Sequence, residues 1–165
     1  MEMNYCMHCG TKLQMREHPH EGLTPWCESC GEYRYPVFNT ACSMIVLNEQ
    51  RDRVLLIRQY GRPHYVLVAG YVNRGEDAEA AAAREVREEV GLEALSVHFN
   101  HSHYFAPTNT LMLNFTVTVA EPEVHANFEV DDWRWFSVGD ARASIKPNSL
   151  AEAFLNGYFT GKYPF

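Results

Sequence analysis

The sequence predicts an α+β fold, a sandwich built on a mixed sheet and preceded by a small cysteine-bearing ribbon. Three observations predict it. Four of the five cysteines fall within the first 30 residues as two C-x-x-C pairs, β-branched apolar runs recur on both sides of the middle of the chain, and one alanine- and carboxylate-rich segment between them has helical spacing. Strands on either side of one amphipathic helix are expected to share a core with it in a layered arrangement.

Length and charge limit the function. At 165 residues and 46% hydrophobic, the chain is long enough for one real core and a small satellite module. A net charge of −7, from 14 basic and 21 acidic residues, argues against independent nucleic-acid binding, whose affinity comes mainly from neutralising phosphates. An acidic protein acting on phosphates needs a metal ion to mediate. The opening "MEMNYCMHCG" has no charged region followed by an apolar run, and no later segment approaches ~18 consecutive apolar residues. The expectation is a soluble, cytoplasmic protein with no membrane partner; a homodimer is compatible with it.

Residues 1–36 read as a loop-rich ribbon. Cys6 and Cys9 in "CMHCG" and Cys27 and Cys30 in "CESCG" are each followed by glycine, with 17 residues between the pairs. Paired thiolates on tight turns can present four sulfurs to one tetrahedral Zn²⁺, whereas a reducing cytosol disfavours disulfides and a redox C-x-x-C does not explain the duplication. His8, His18 and His20 are expected at the surface, since four thiolates already fill the site.

From residue 37 to 165 the chain reads as one domain. "CSMIVLNEQRDRVLLIRQY" is two β-branched runs joined by a polar turn from Asn48 to Asp52, a hairpin signal, and Cys42 at its start is a small core side chain. "YVLVAGYV" follows as a third strand. In "RGEDAEAAAAREVREEVGL" Asp77 can cap a helix, Ala80 to Ala83 favour it, and Gly91 sits where a left-handed residue would end it. Ala82, Val86 and Val90 form its core-facing stripe, with the carboxylates expected to lie away from that stripe. "LSVHFNHSHYF", "TLMLNFTVTVA" and "DDWRWFSV" read as strands, and "SLAEAFLNGYF" as a closing amphipathic helix.

On the central helix Glu85, Glu88 and Glu89 are spaced i, i+3 and i+4, so three like charges crowd one side at a cost of about 0.2–0.5 kcal/mol per pair. Alone, such a run is most often a solvated helix face. The surroundings are more specific. Residues 70–92 fit G-x5-E-x7-R-E-U-x-E-E-x-G-U, with U apolar, at Gly70, Glu76, Arg84, Glu85, Val86, Glu88, Glu89, Gly91 and Leu92. This pattern resembles the signature of the Nudix hydrolases without a mismatch. The resemblance implies a Nudix-type α/β/α sandwich and hydrolysis of a diphosphate. Glu85, Glu88 and Glu89 would hold Mg²⁺ or Mn²⁺, Arg84 would orient a catalytic carboxylate, and Glu76 would hold the loop or a further metal. Hard divalent cations favour this oxygen-rich donor set and activate a bound water, so the repulsion is the cost of a metal site kept ready. Gly70 would permit a tight backbone approach and Gly91 would end the helix.

A four-cysteine ribbon directly before such a domain resembles the NADH pyrophosphatases, over nearly the whole chain from Cys6 onward. "CGEYRYPVFNTACSMIVL" is similar to that family's junction between ribbon and first strand. Tyr71 matches an aromatic position that in the family stacks on a base, and Glu129 in "FEVDDWRWF" falls where the family carries an extra metal-binding or base-like glutamate. The family's S-Q-P-W-P-F-P followed by x-S-L-M corresponds here to "SHYFAPTNTLM", residues 102–112. Ser102, Phe105 and Leu111-Met112 keep the register, which implies substrate contacts for Ser102 and Phe105, but the central proline pattern is lost. Half-buried packing is the favoured reading of the flanking His101, His103 and Tyr104.

The resemblance implies a diphosphatase acting on a nucleoside diphosphate derivative, with NADH or NAD⁺ giving AMP plus a mononucleotide. ADP-ribose or another nucleoside-diphosphate sugar is the alternative substrate. A non-catalytic nucleotide-binding regulator is a further alternative, disfavoured by the intact carboxylates of the motif, and a nucleic-acid-binding ribbon using Lys12, Arg16 and Arg34 is another, disfavoured by the acidic balance.

Overall fold

The computed structural model describes residues 3–120 and 123–165. It divides into two compact units, Met1–Asn39 and Thr40–Phe165.

The N-terminal unit is more ordered than a loop-rich ribbon. It contains a three-stranded antiparallel sheet of β1 (Gln14–His18), β2 (Gly22–Cys27) and β3 (Glu32–Tyr33), in the order β1-β2-β3. These strands escape the period-2 reading because the unit has little interior for apolar residues to alternate toward: Met15 and Leu23 are exposed. Its interior is the cysteine cluster, with Cys6 and Cys27 buried.

Among the described residues the second unit is built on six strands: β4 (Asn39–Asn48), β5 (Arg53–Gln59), β6 (Val68–Tyr71), β7 (Ala94–Phe105), β8 (Thr110–Val119) and β9 (Val130–Ser137). They form one mixed sheet in the order β7-β8-β4-β5-β9, with β6 also paired to β4. The hairpin of β4 and β5 pairs Val46 with Leu55, and Ser43 of β4 lies opposite Ala69 of β6. Among the described residues three α-helices cover the sheet: α1 (Ala78–Val90), α2 (Val138–Ser144) and α3 (Leu150–Thr160).

Strand alternation explains the two layers. On β4, Cys42, Met44 and Val46 point into the core beneath α1, where Ala82, Val86 and Val90 meet them; Ile45 and Leu47 point the other way, to a core closed by Phe154 and Leu155 of α3. Burying each such aliphatic side chain contributes about 1.5–3 kcal/mol. Cys42 is fully buried, and that burial pushes its thiol up to about 12, as suits a core side chain. Among the described residues no helix is long and apolar enough to cross a membrane.

Three local features differ from expectation. Asp77 occupies the N-cap of α1, but its exposed side chain makes no capping hydrogen bond; its carbonyl accepts from Ala81 N–H at 2.9 Å. The short α2 carries a glycine in its first turn and gives no periodic signal, yet Ser137 caps it by accepting from Asp140 N–H. The third difference concerns Glu89, which is 4% exposed and faces inward beside Val86 and Val90.

Candidate active site

Arg84 organises the site. Its Nε and Nη2 donate to the two oxygens of Glu76 at 2.7 and 2.9 Å, Nη1 donates to Glu85 at 2.7 Å and Glu88 at 2.9 Å, and Nη2 also donates to the Tyr71 carbonyl at 3.0 Å. All five guanidinium donors are used, a fork geometry that lysine cannot supply. The surrounding carboxylates raise the Arg84 pKa further, with the Glu76 hydrogen bond the largest cause.

Glu76 is engaged through both oxygens, since Oε2 also accepts from Asn73 N–H at 3.0 Å. Arg84 holds its carboxyl down at about 2. Of the two roles expected for Glu76, these hydrogen bonds support holding the loop before α1.

Gly70 explains how Glu85 fits. A Cβ at residue 70 would lie 1.9 Å from the Glu85 carboxyl carbon, so the close approach runs between the β6 backbone and a box carboxylate. Gly91 ends α1 at φ 70°, and a Cβ there would also meet His125 at 2.8 Å. That contact matters because residues 125–127 finish the helix: His125 N–H donates to the Val90 carbonyl and Asn127 N–H to the Glu89 carbonyl, both at 2.9 Å. Asn127 Oδ1 then accepts from Glu129 N–H, which anchors Glu129 to the end of α1.

The three box glutamates have unlike surroundings. Glu88 is 53% exposed and Glu85 14% exposed as side chains, and both pair with Arg84. Glu89 lies under the helix with Gln59 Nε2 donating to its Oε2 at 2.9 Å. Burial pushes its pKa up to about 8, with the charges of Glu85 and Glu129 adding to the shift. A buried carboxyl facing two more carboxylates is a place where a cation is favoured, and the hard oxygen donors suit Mg²⁺ or Mn²⁺.

Two contributors were missed by the sequence reading. Gln59 ends β5 just after a β-bulge that disturbs its register with β9, and Tyr60, at φ 56°, donates its hydroxyl to Glu129 Oε2 at 2.9 Å. A left-handed conformation in a bulky residue costs about 1 kcal/mol or more and marks functional segments. The polar pair after "VLLIR" is the one available signal; the partners lie 30 and 69 residues away in the chain.

The expected substrate contacts are more dispersed. Tyr71 is 60% exposed, and alternation along β6 turns its ring to the face opposite Gly70 and Glu85. Ser102 and Phe105 lie on β7, separated from β5 by β8 and β4, and Phe105 lines a cavity of ≈ 580 Å³ with His103, Asn156 and Phe165. The structure brings neither into a bond with the carboxylates among the described residues. His101 and His103 stack on Tyr163 and Phe165 at 4.2 and 4.1 Å, the packing role expected of them.

In the N-terminal unit Cys6, Cys9, Cys27 and Cys30 place their sulfurs within 4.8 Å of one another, with Cys6–Cys30 at 3.9 Å and Cys9–Cys27 at 3.4 Å. A tetrahedron of Zn–S bonds of about 2.3 Å has edges of about 3.8 Å, so the cluster fits Zn²⁺. Arg34 Nε donates to Cys6 Sγ at 3.2 Å and holds that thiol down at about 5. Cys30 is pushed up to about 12, chiefly by its contact with Cys9, so four thiolates require a cation among them. His18 packs edge-on against Tyr33, and His8 and His20 are exposed.

Comparison with known proteins agrees with this geometry. The family model described as the NUDIX domain matches residues 37–154. The chain belongs to the Nudix family. Curated relatives include the NAD-capped RNA hydrolase NudC of Pseudomonas aeruginosa (strain LESB58), 36% identical over 157 residues, covering 93% of this chain and 55% of the relative. The protein of the same name from Stutzerimonas stutzeri (strain A1501) is 32% identical over the same length and coverage. This Nudix chain thus spans about half the length of the curated relatives it matches. A NUDIX hydrolase from Nitrosomonas europaea shares its fold at a TM-score of 0.63 and 19% identity, covering 99% of this chain and 96% of that one. A MutT structure from a study of the Aliivibrio salmonicida and Vibrio cholerae proteins does so at 0.64 and 15%, covering 76% and 100%.

Proposed function

We propose that the chain hydrolyses the diphosphate linkage of a nucleoside diphosphate derivative, with an NADH- or NAD-type dinucleotide giving AMP and the complementary mononucleotide. The observation that carries this reading is the buried Glu89, set against Glu85 and Glu129 beside an arginine whose donors are all committed. Glu85, Glu88, Glu89 and Glu129 would hold Mg²⁺ or Mn²⁺. When bound, the metal supplies charge neutralisation at the diphosphate and lowers the pKa of a water.

The protein's own residues do the rest. Arg84 fixes the carboxylates of Glu85 and Glu88, and Glu76 fixes Arg84. Gln59 aims the Glu89 carboxyl, and Tyr60 holds Glu129 through Oε2, leaving Oε1 to take the proton of the attacking water as a P–O bond of the diphosphate breaks. Residues 1–36 act as a zinc-stabilised module through Cys6, Cys9, Cys27 and Cys30, and residues 37–165 as the catalytic domain. The relatives named NAD-capped RNA hydrolases support a nicotinamide dinucleotide as the substrate class. The departure at residues 102–112 favours a broader preference, so ADP-ribose is a second substrate.

Incubating NADH, NAD⁺ and ADP-ribose with the protein and Mg²⁺, then separating the products, tests the reading. AMP is expected from each. Cleavage of ADP-ribose alone would reject the dinucleotide assignment, and no turnover of any nucleoside diphosphate derivative would reject the catalytic one in favour of a binding protein.

A further inference from the structure

Two exposed aromatic rings are fastened to the carboxylate centre. Tyr60 is 65% exposed, yet its hydroxyl donates to Glu129 Oε2 at 2.9 Å; Phe128 is 93% exposed and directly precedes Glu129 in the chain. Scattered exposed aromatics are ordinary at a protein surface. These two differ in being held in place.

Tyr60 is held at both ends. Its backbone is left-handed at φ 56°, in a turn closed by Arg62 N–H on the Gln59 carbonyl at 3.1 Å and by Gly61 N–H on Asp131 Oδ2 at 2.6 Å, while Glu129 takes its hydroxyl. The ring between these anchors stays in solvent, and it lines a cavity of ≈ 480 Å³ with the apolar Pro63 and Val66. Phe128 sits in a tight turn over residues 127–130. Val130 N–H donates to the Asn127 carbonyl at 3.3 Å, and Asn127 Oδ1 accepts from Glu129 N–H at 2.9 Å. Asn127 N–H donates to the Glu89 carbonyl at 2.9 Å, so the turn is tied to the backbone of one box glutamate and carries Glu129 as the residue after Phe128. An exposed ring fixed in this way contributes no burial until a ligand covers it, and it loses little freedom when that happens.

The position of the rings names the ligand. A substrate whose diphosphate lies at Glu89 and Glu129 carries its heterocycle only a ribose away, and flat rings stack on aromatic side chains. Tyr71, the ring expected to do this, is turned to the face opposite Gly70 and Glu85. We propose that Tyr60 and Phe128 form the surface on which the heterocycle of the substrate stacks while its diphosphate lies at the glutamates. The assignment rests on the diphosphatase reading and deepens it. Adenine and nicotinamide are the two sources of such a ring in a dinucleotide. Tyr60 then has two separable roles: its hydroxyl positions Glu129, and its ring holds the heterocycle.

Equilibrium binding separates them. Titration calorimetry in Mg²⁺ compares AMP, nicotinamide mononucleotide and ribose 5-phosphate, which share the sugar 5′-phosphate and differ in the ring, on wild type, Tyr60→Phe, Tyr60→Leu and Phe128→Leu. Wild type is expected to bind at least one mononucleotide about fivefold or more tighter than ribose 5-phosphate, and the one that gains identifies the ring held. Tyr60→Phe keeps the ring and loses the bond to Glu129, so this ratio should persist there, whereas each leucine variant should cut it severalfold. Phe128→Leu changes a side chain that lies in solvent, which keeps the test available if Tyr60→Leu disturbs the turn. Equal affinities for all three ligands in wild type, a ratio that survives either leucine variant in folded protein, or a ratio lost as fully in Tyr60→Phe as in Tyr60→Leu would overturn the stacking surface while leaving the diphosphatase reading in place. A wild-type chain that binds none of the three would overturn both.

Discussion

Replacing Glu89 with glutamine should separate stability from catalysis, by an amount that depends on pH. Burial moves this carboxyl from its ordinary 4.5 to about 8. Between those values the folded chain binds a proton that the unfolded chain has released, so stability falls as pH rises through the window. At about 1.4 kcal/mol per pH unit, the liability is ~3 kcal/mol at pH 7 and approaches ~5 kcal/mol above pH 8. The substituted amide carries no charge to desolvate, and its carbonyl can still accept the Gln59 N–H that now reaches Oε2 at 2.9 Å. In metal-free buffer, urea unfolding should therefore show little difference between variant and wild type at pH 4.5 and a gain of ~3 kcal/mol at pH 7. With Mg²⁺, turnover should fall by at least about 10²-fold, since losing even an outer partner of a metal ligand costs about 10–100-fold. A stability gain of the same size at both pH values, or a variant with wild-type turnover, would refute the reasoning.

Other perturbations probe the remaining supports. Arg84→Lys keeps the charge but loses the paired bonds to Glu76, so turnover should drop with a stability loss of about 1–3 kcal/mol, measured by urea unfolding. Gly70→Ala should displace the Glu85 carboxyl that would otherwise lie 1.9 Å from the new Cβ, cutting activity more than tenfold; unchanged kinetics would remove Glu85 from the centre. Gly91→Ala must adopt φ 70° and push against His125, which should cost about 1–2 kcal/mol or more in the same unfolding assay. Elemental analysis of freshly purified protein should find about one zinc per chain, and a chelator should unfold the N-terminal unit, read as loss of its strand signal.

The parts legible in the sequence are those whose chemistry is local. The box can be read because Glu85, Glu88 and Glu89 share one helix, and the core stripe because Ala82, Val86 and Val90 repeat at helical spacing. The long strands announce themselves through β-branched runs such as "MIVL" and "VLLI". The illegible parts depend on partners distant in the chain. Expecting all three carboxylates to lie away from the core fails at Glu89, which follows Val86 by three residues and Ala82 by seven and so sits at the edge of the core stripe, where it is 4% exposed and bonded to Gln59, 30 residues away in the chain. Gln59 and Tyr60 look like the polar end of a strand until a bulge and a left-handed turn aim them at Glu89 and Glu129. The ribbon's sheet is hidden for a different reason: its cysteines replace the apolar interior whose alternation would have revealed it.

The most direct test of the central claim is the release of AMP from NADH by one preparation, assayed in Mg²⁺, in excess chelator and, in parallel, as the Glu89→Gln variant. The account predicts AMP and reduced nicotinamide mononucleotide in equal amounts with Mg²⁺ and essentially none in the other two assays. AMP release that persists at full rate in chelator or in the variant, or no AMP from the wild-type chain in Mg²⁺, would contradict a carboxylate-held metal centre acting on the dinucleotide diphosphate.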